Sequence, residues 1–308
     1  METDARRAPG LKRLEADALL LTTAFLWGVT FVVQKNAVGT LSPLAFVAAR
    51  FVISAVALAP FALWEARRAK RALGPGAWRI AIVMALALFV GSSLQQAGLE
   101  TTSATNGGFL TACYVVLTPF IVWALSRTAP RPLVVLASLV SLLGAWLLAS
   151  GGGPARPPTI GDGLVLLADF AWALGIALTP LFLMRAPRPL MLAFTQYLVC
   201  GALAAVAAAA FETVEPRAFV DAAAWIVFAG LVSGALAYTL QIIGQRYTPP
   251  AEAALILSLE SVFAAIAGAF ILGERLTLMG ALGCALILLG AVAVEVTPAL
   301  ARKGPLRA

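Results

Sequence analysis

Four charged side chains, Arg50, Asp169, Glu252 and Glu260, stand inside stretches that are otherwise apolar. A carboxylic acid in such surroundings can take up and release a proton, hold a cationic group, or pair with a cation; an arginine can hold an anion or pair with an acid. Hydrolytic and redox chemistry lack their parts. The chain has no histidine and no Cys/His cluster, which leaves neither a metal-ligand set nor a Ser-His dyad. The glycine run "SGGGPARPP" at 150–158 carries no lysine, so it is not a phosphate loop. Neither an enzyme nor a resident cofactor is expected.

Around the charges lie uncharged polar groups with helical spacing. Thr23, Trp27, Thr30 and Gln34 recur at i, i+4, i+7 and i+11, which puts them on one helix face. Further along are Gln95, Asn106, Thr111 and Tyr114, then Tyr238 with Gln241 and Gln245. Trp27 and Trp172 are candidate walls of a pocket, or bulk packed between helices. The amides are candidate hydrogen-bond partners of a substrate, or of neighbouring helices. Arg50 and Asp169 lie seven residues from one end of their segments, roughly 10 Å deep at ~1.5 Å per residue. Equal depth permits an ion pair between them, structural in the simplest case and a gate in the sharper one. Gly230 and Gly234 form a GxxxG pair suited to close helix packing.

These groups need a scaffold that spans hydrocarbon. The chain of 308 residues is 61% hydrophobic and 12% charged, too little polar surface for a soluble fold of this length. Ten apolar segments are expected, at 17–38, 43–64, 78–99, 103–125, 131–150, 162–184, 189–211, 222–245, 250–272 and 277–297. Each suits the ~20 residues that cross ~30 Å of hydrocarbon as a helix. No period-2 pattern supports a β-barrel. Cys113, Cys200 and Cys284 fall within the segments and are read as packing residues.

The net charge of +7 is a matter of topology rather than of nucleic-acid binding. With the N-terminus inside, 17 of the 22 Lys and Arg fall on the inner side, 4 on the outer, and Arg50 within a span. The positive-inside rule then puts both termini in the cytoplasm. Helix starts are expected at Asp17, Ser42, Asp162, Thr248 and Thr277, whose oxygens can cap free N–H groups, and kinks at Pro119 and Pro180.

The chain is written twice. "DALLLTTAFLWGV" at 17–29 aligns with "DGLVLLADFAWAL" at 162–174 through Asp17/Asp162, Phe25/Phe170 and Trp27/Trp172. One residue later in offset, Pro43 matches Pro189, Gln95 matches Gln241, Gly98 matches Gly244, Thr102 matches Thr248, Tyr114 matches Glu260 and Gly144 matches Gly290. The halves divide as 1–150 and 151–308. With five spans each, the second half must enter from the opposite side. The loop "EARRAKRALGPGAWR" is basic, while its counterpart "ETVEPRAFVDA" holds Glu212, Glu215 and Asp221 against one arginine. The architecture is therefore all-α, integral to the membrane, with ten transmembrane helices as two inverted five-helix repeats. Such repeats hold substrate at their interface and open to alternate faces.

The stretches "FLWGVTFVVQKNA" at 25–37, "ATNGGFLTACYVVLTPF" at 104–120 and "AEAALILSLESVFAAIAGAFILGERLTLMGALGCALILLGAVA" at 251–293 carry a family resemblance. Through them the sequence resembles the EamA branch of the drug/metabolite transporter superfamily over nearly its whole length. Within that branch it looks most like YddG-type amino-acid exporters of bacterial inner membranes. The resemblance implies a cavity lined by spans one, three, four, six, eight and nine, with five and ten outside it. One departure stands out: Glu260 is followed by Ser261 where the family usually has proline, which removes an expected kink in span nine.

The expected function is export of amino acids, or related small metabolites, from the bacterial inner membrane by alternating access. Candidate substrate-binding residues are Trp27, Thr30, Gln95, Asn106, Tyr114, Trp172, Tyr238, Gln241 and Glu260; Arg50 and Asp169 are the candidate ion pair or gate. Asp169 and Glu260 are also the candidate proton carriers, should transport be proton-coupled. Efflux of lipophilic cations is the alternative in the same class, and a channel the alternative outside it. The inversion is testable directly: cysteines placed at Ala72 and Ala218 are expected to react with an impermeant maleimide from opposite sides of the membrane. Labelling of both from one side would remove the inverted repeat.

Overall fold

A computed structural model describes residues 10–69, 71–150, 157–271, 273 and 277–301. The basic positions Arg6, Arg7, Lys70, Arg156, Arg275, Arg302, Lys303 and Arg307 lie outside the described residues. Among the described residues there is no strand, and nine helices are long and apolar enough to cross a membrane. They are Gly10–Ala37, Pro43–Arg68, Pro75–Gly98, Ala104–Ser126, Pro132–Ser150, Ile160–Arg185, Pro189–Phe211, Ala223–Gly244 and Pro250–Ile271. A tenth, Leu278–Ala301, contains the shorter apolar piece Leu278–Val294. Large apolar side chains such as Val56, Leu136 and Leu289 face outward at 69%, 61% and 58% exposure, a surface suited to lipid tails.

The second and seventh helices lie side by side and antiparallel, and their ends show why. Glu212, just past the end of the seventh, accepts the Leu44 and Ala45 amides at the start of the second (2.9 and 3.0 Å) and the Ser42 hydroxyl at 2.7 Å. Glu65, near the end of the second, accepts the Leu190 and Met191 amides at the start of the seventh (3.4 and 2.8 Å). Each half thus caps a helix of the other, satisfying donors that have no partner within their own helix and placing a negative charge at the positive end of a helix dipole. The remaining interface follows the same two-fold relation: the first helix packs on the ninth as the sixth packs on the fourth, and the fifth packs on the tenth.

Several caps differ from expectation. Ser42 occupies its cap position without bonding the helix itself; Glu212 does so instead. Asp162 is not the cap of the sixth helix but the third residue of a capping box led by Thr159: the Thr159 amide donates to Asp162 Oδ2 at 2.7 Å, and the Asp162 amide donates to Thr159 Oγ1 at 3.3 Å. Asp17 lies within the first helix, which starts seven residues earlier than expected. It accepts from Arg13 at 2.8 Å and from Thr248 Oγ1 at 2.7 Å. Thr277 does cap, taking the Gly280 amide at 3.0 Å.

The irregular backbone sits in mid-span. The helices run through Pro119 and Pro180, and the fourth breaks earlier, at Ala112–Cys113. The ninth breaks at Ser258–Leu259, immediately before Glu260. The kink expected to vanish with the missing proline is therefore present. Short i→i−3 bonds form there instead (Leu259 to Ile256, Ser261 to Ser258), and the Ser258 and Ser261 hydroxyls turn back onto the Leu255 and Ser258 carbonyls at 2.8 Å each. The two breaks are repeat equivalents and deliver Tyr114 and Glu260 to corresponding places.

The eighth helix widens into a π-helix over Ala229–Tyr238. Four of its carbonyls accept side-chain donors from neighbouring spans. Ser54 Oγ bonds Gly230 at 2.7 Å, Trp27 Nε1 bonds Ser233 at 3.2 Å, Tyr197 Oη bonds Gly234 at 3.0 Å and Thr23 Oγ1 bonds Ala237 at 3.1 Å. Gly230 and Gly234 permit this approach. A Cβ on Gly230 would stand 2.8 Å from the Arg50 carbonyl oxygen and 2.9 Å from Ile53 Cβ. Gly230→Leu is expected to cost about 1–3 kcal/mol by overpacking, seen as a lowered apparent Tm in detergent. Gly163→Ala, where an added Cβ meets nothing within 4 Å, is expected to leave the Tm unchanged.

Candidate functional site

A cavity lined by side chains of both halves opens where they meet. Most of its lining comes in repeat-equivalent pairs. Thr30, Phe31 and Gln34 of the first helix face Gly175, Ile176 and Thr179 of the sixth; Trp27 answers Trp172, Gln95 answers Gln241, and Tyr114 answers Glu260. The cavity therefore lies across the pseudo-two-fold axis, in line with the two helix breaks.

An aromatic cluster forms one wall, centred on Tyr238, which ends the π-helix. Its ring centroid lies 4.6 Å from Trp27, 6.2 Å from Trp172 and 6.4 Å from both Phe51 and Tyr197. These separations suit tilted and edge contacts between aromatic quadrupoles. The two tryptophans are held differently. Trp27 Nε1 is tied to the Ser233 carbonyl, whereas Trp172 Nε1 is buried with no partner.

The polar groups are spread around this wall. Gln95 Nε2 donates to Thr111 Oγ1 at 2.9 Å. Gln241 Nε2 donates to Gln245 Oε1 at 3.1 Å, and Gln245 donates in turn to the Ile176 carbonyl at 3.0 Å. Both amides at the cavity edge are thus oriented by a neighbour. Glu260 is buried at 2% exposure. The Tyr114 hydroxyl points at its carboxylate from the margin of hydrogen-bonding geometry, and no other side chain among the described residues meets Oε1.

Of the nine residues proposed from sequence to bind substrate, eight line the cavity: Trp27, Thr30, Gln95, Tyr114, Trp172, Tyr238, Gln241 and Glu260. Asn106 does not. It sits at the start of the fourth helix and donates to Thr102 Oγ1 and Asp162 Oδ1, both at 2.9 Å. Its repeat equivalent Glu252 lies at the other end of the bundle, 2.8 Å from Arg13 and 3.6 Å from Arg131. These two polar clusters close opposite ends of the bundle rather than furnish its centre.

The expected ion pair between Arg50 and Asp169 is not formed. Arg50 Nη1 donates to Gln34 Oε1 at 3.0 Å, and the guanidinium stacks 4.7 Å from the Phe51 ring centroid and 5.7 Å from that of Phe46. Asp169 is fully buried, and among the described residues neither of its carboxyl oxygens has a hydrogen-bond partner. Its electrostatic neighbours are Glu260, Tyr114 and Cys113. The two side chains face different neighbours.

Spans two and seven reach the cavity as well, through Arg50 and Gln196, although neither was expected to. Gln196 had a legible signal, being the repeat equivalent of Arg50. Thr179, the equivalent of Gln34, was legible on the same ground. Spans five and ten supply none of the lining residues described, as the resemblance implied.

Helices with lipid-facing exteriors, inverted halves and a mid-span cavity between them define a membrane transporter. The chain belongs to the EamA-like transporter family, which matches it twice, at residues 14–150 and 159–295. An "Uncharacterized transporter" of Archaeoglobus fulgidus is 33% identical over 289 residues, covering 94% of this chain and 88% of that protein. The "Uncharacterized transporter YwfM" of Bacillus subtilis is 27% identical over 290 residues, covering 91% and 93%. One solved crystal structure matches 94% of this chain and 99% of its own with a TM-score of 0.74; at 18% identity it shows a shared fold.

The tryptophan pair separates packing from hydrogen bonding. Trp27→Phe strands the Ser233 carbonyl and is expected to cost about 1–3 kcal/mol, read as a lower Tm in detergent. Trp172→Phe removes a donor that has no partner, and the expected loss is smaller.

Proposed function

We propose that the protein exports amino acids or related small metabolites across a bacterial inner membrane, with both termini cytoplasmic. In this reading residues 1–150 and 151–308 form two bodies that rock about the shared cavity, opening it to one face and then the other. The observation that carries the proposal is the cavity's lining in equivalent pairs from both halves. An aromatic and aliphatic wall accepts varied side chains, since one methylene discriminates by only ~1–3 kcal/mol. Oriented amides and hydroxyls, together with Glu260 and Arg50, suit a polar head group. The bulky rings of Trp27, Trp172 and Tyr238 pack together within the lining, which favours a carrier over a continuous polar pore.

Efflux of lipophilic cations is the second reading, favoured by the buried Glu260 carboxylate beside an aromatic cluster. Purified protein in liposomes loaded with radiolabelled amino acids and tetraphenylphosphonium separates the two. Amino-acid efflux is expected; efflux of the cation alone would overturn the proposal.

Proton coupling would run through Glu260, with Asp169 behind it. The groups facing this pair are Tyr114, Cys113 and Tyr238. On this reading Glu260→Gln abolishes the response of efflux to an imposed pH gradient while leaving exchange measurable. Full proton dependence in that variant would exclude Glu260 as the carrier.

A further inference from the structure

Arg50 is a cation with nowhere evident to put its charge. It is 5% exposed, and among the described residues no carboxylate lies within salt-bridge distance of it. Its surroundings are neutral: the Gln34 side chain, the Phe46 and Phe51 rings, and, within electrostatic reach, Tyr238 and Cys200. Stacking on the rings recovers part of the lost hydration, but a buried cation calls for an anion. Arg50 also lines the cavity.

The hydrogen bonds leave one edge of the guanidinium open. Nη1 is taken by Gln34, while among the described residues none accepts a hydrogen bond from the buried Nε or from Nη2. Nε and Nη2 form the side edge of the fork, two parallel donors whose spacing matches the two oxygens of a carboxylate. Gln34 is steadied from behind, its backbone carbonyl accepting Gln96 Nε2 at 3.4 Å. The arginine is therefore oriented by protein on one side and unsatisfied on the other.

We infer that Arg50 anchors a carboxylate of the transported molecule, which makes the substrate class small organic acids bearing one negative charge at that end. The inference rests on the transport reading given above and narrows it. A dianionic head group such as a phosphate ester is disfavoured, because Arg50 is the one basic side chain among the described lining residues and Glu260 adds an acidic one. The two charges come from different halves, so a molecule with a carboxylate and an ammonium group is complemented at both ends. The repeat equivalent of Arg50 is neutral Gln196, so a carboxylate finds its full counter-charge on one side of the cavity only.

The test compares leucine with leucinamide, in which the carboxylate is replaced by a neutral amide, and with 4-methylpentanoate, which keeps the carboxylate and lacks the amine. Binding is read by quenching of tryptophan fluorescence in the purified full-length protein, and transport by efflux from liposomes. The wild type is expected to bind leucine at least about tenfold more tightly than leucinamide, as a charge-assisted bidentate bond allows. Arg50→Gln should bring that ratio within about twofold of unity by weakening leucine while leaving leucinamide nearly unchanged, and Arg50→Lys should restore it in part. An unchanged ratio in Arg50→Gln, or equal binding of leucine and leucinamide by the wild type, overturns the inference. So does an absence of binding to leucine, phenylalanine and 4-methylpentanoate alike. If Arg50→Gln does not fold, the wild-type ratio and Arg50→Lys decide. Arg50-dependent binding of 4-methylpentanoate without amino-acid efflux would uphold the anchor and overturn the amino-acid reading; amino-acid efflux indifferent to Arg50→Gln would do the reverse.

Discussion

Two carboxylates hold the halves of this protein upside down to one another. Glu212 closes the start of the second helix and Glu65 the start of the seventh, each from the far end of the helix it packs against. The exchange works only if those helices run antiparallel, because a parallel pair would bring two N-termini together and leave the acids at the other face. In a solvent without water the first amides of a helix must find an acceptor within the protein. Inversion of the repeat supplies it at both faces with one device. Every other element of the site inherits its position from this relation, including the pairing of the first helix with the ninth and of the sixth with the fourth.

Regular helix is abandoned only where neighbours can compensate. The π-helix of the eighth span displaces its carbonyls from ordinary i→i−4 geometry, and donors from Thr23, Trp27, Ser54 and Tyr197 meet four of them. The breaks in the fourth and ninth spans are satisfied by short i→i−3 bonds and, in the ninth, by two serine hydroxyls. These three irregular places border the cavity and present Tyr114, Tyr238 and Glu260 to it. Discontinuous helices at mid-membrane mark binding sites in other transporter folds for the same reason: free backbone polar groups are tolerated only beside a cavity or packed protein.

Period, length and charge bias made the ten segments and their inversion legible in the amino-acid sequence, because the membrane enforces all three. Trp27 and Trp172 were legible through the repeat. Asn106 was misread because it lies in the first turn of the fourth helix, where its side-chain amide reaches Thr102 and Asp162 at the end of the bundle rather than the cavity. Arg50 was given the wrong partner because sequence supplies depth along a helix but not the azimuth of one helix relative to another. The break before Glu260 was obscured by the search for proline, whereas the serines at 258 and 261 bend the backbone by bonding to carbonyls. Nothing in the composition of "AGLVSGALAY" distinguishes a π-helix from an α-helix; its donors arrive from three other spans.

The symmetry is broken where it matters to the energetics. Arg50 stands opposite Gln196, and Tyr114 opposite Glu260, so each half contributes one ionisable group for which the other has a neutral counterpart. Two identical halves would be related by an exact two-fold rotation, so the cavity would present the same chemistry from either side. A charge set against a neutral group at each matching position lifts that equivalence, and the cavity acquires a basic side from one half and an acidic side from the other.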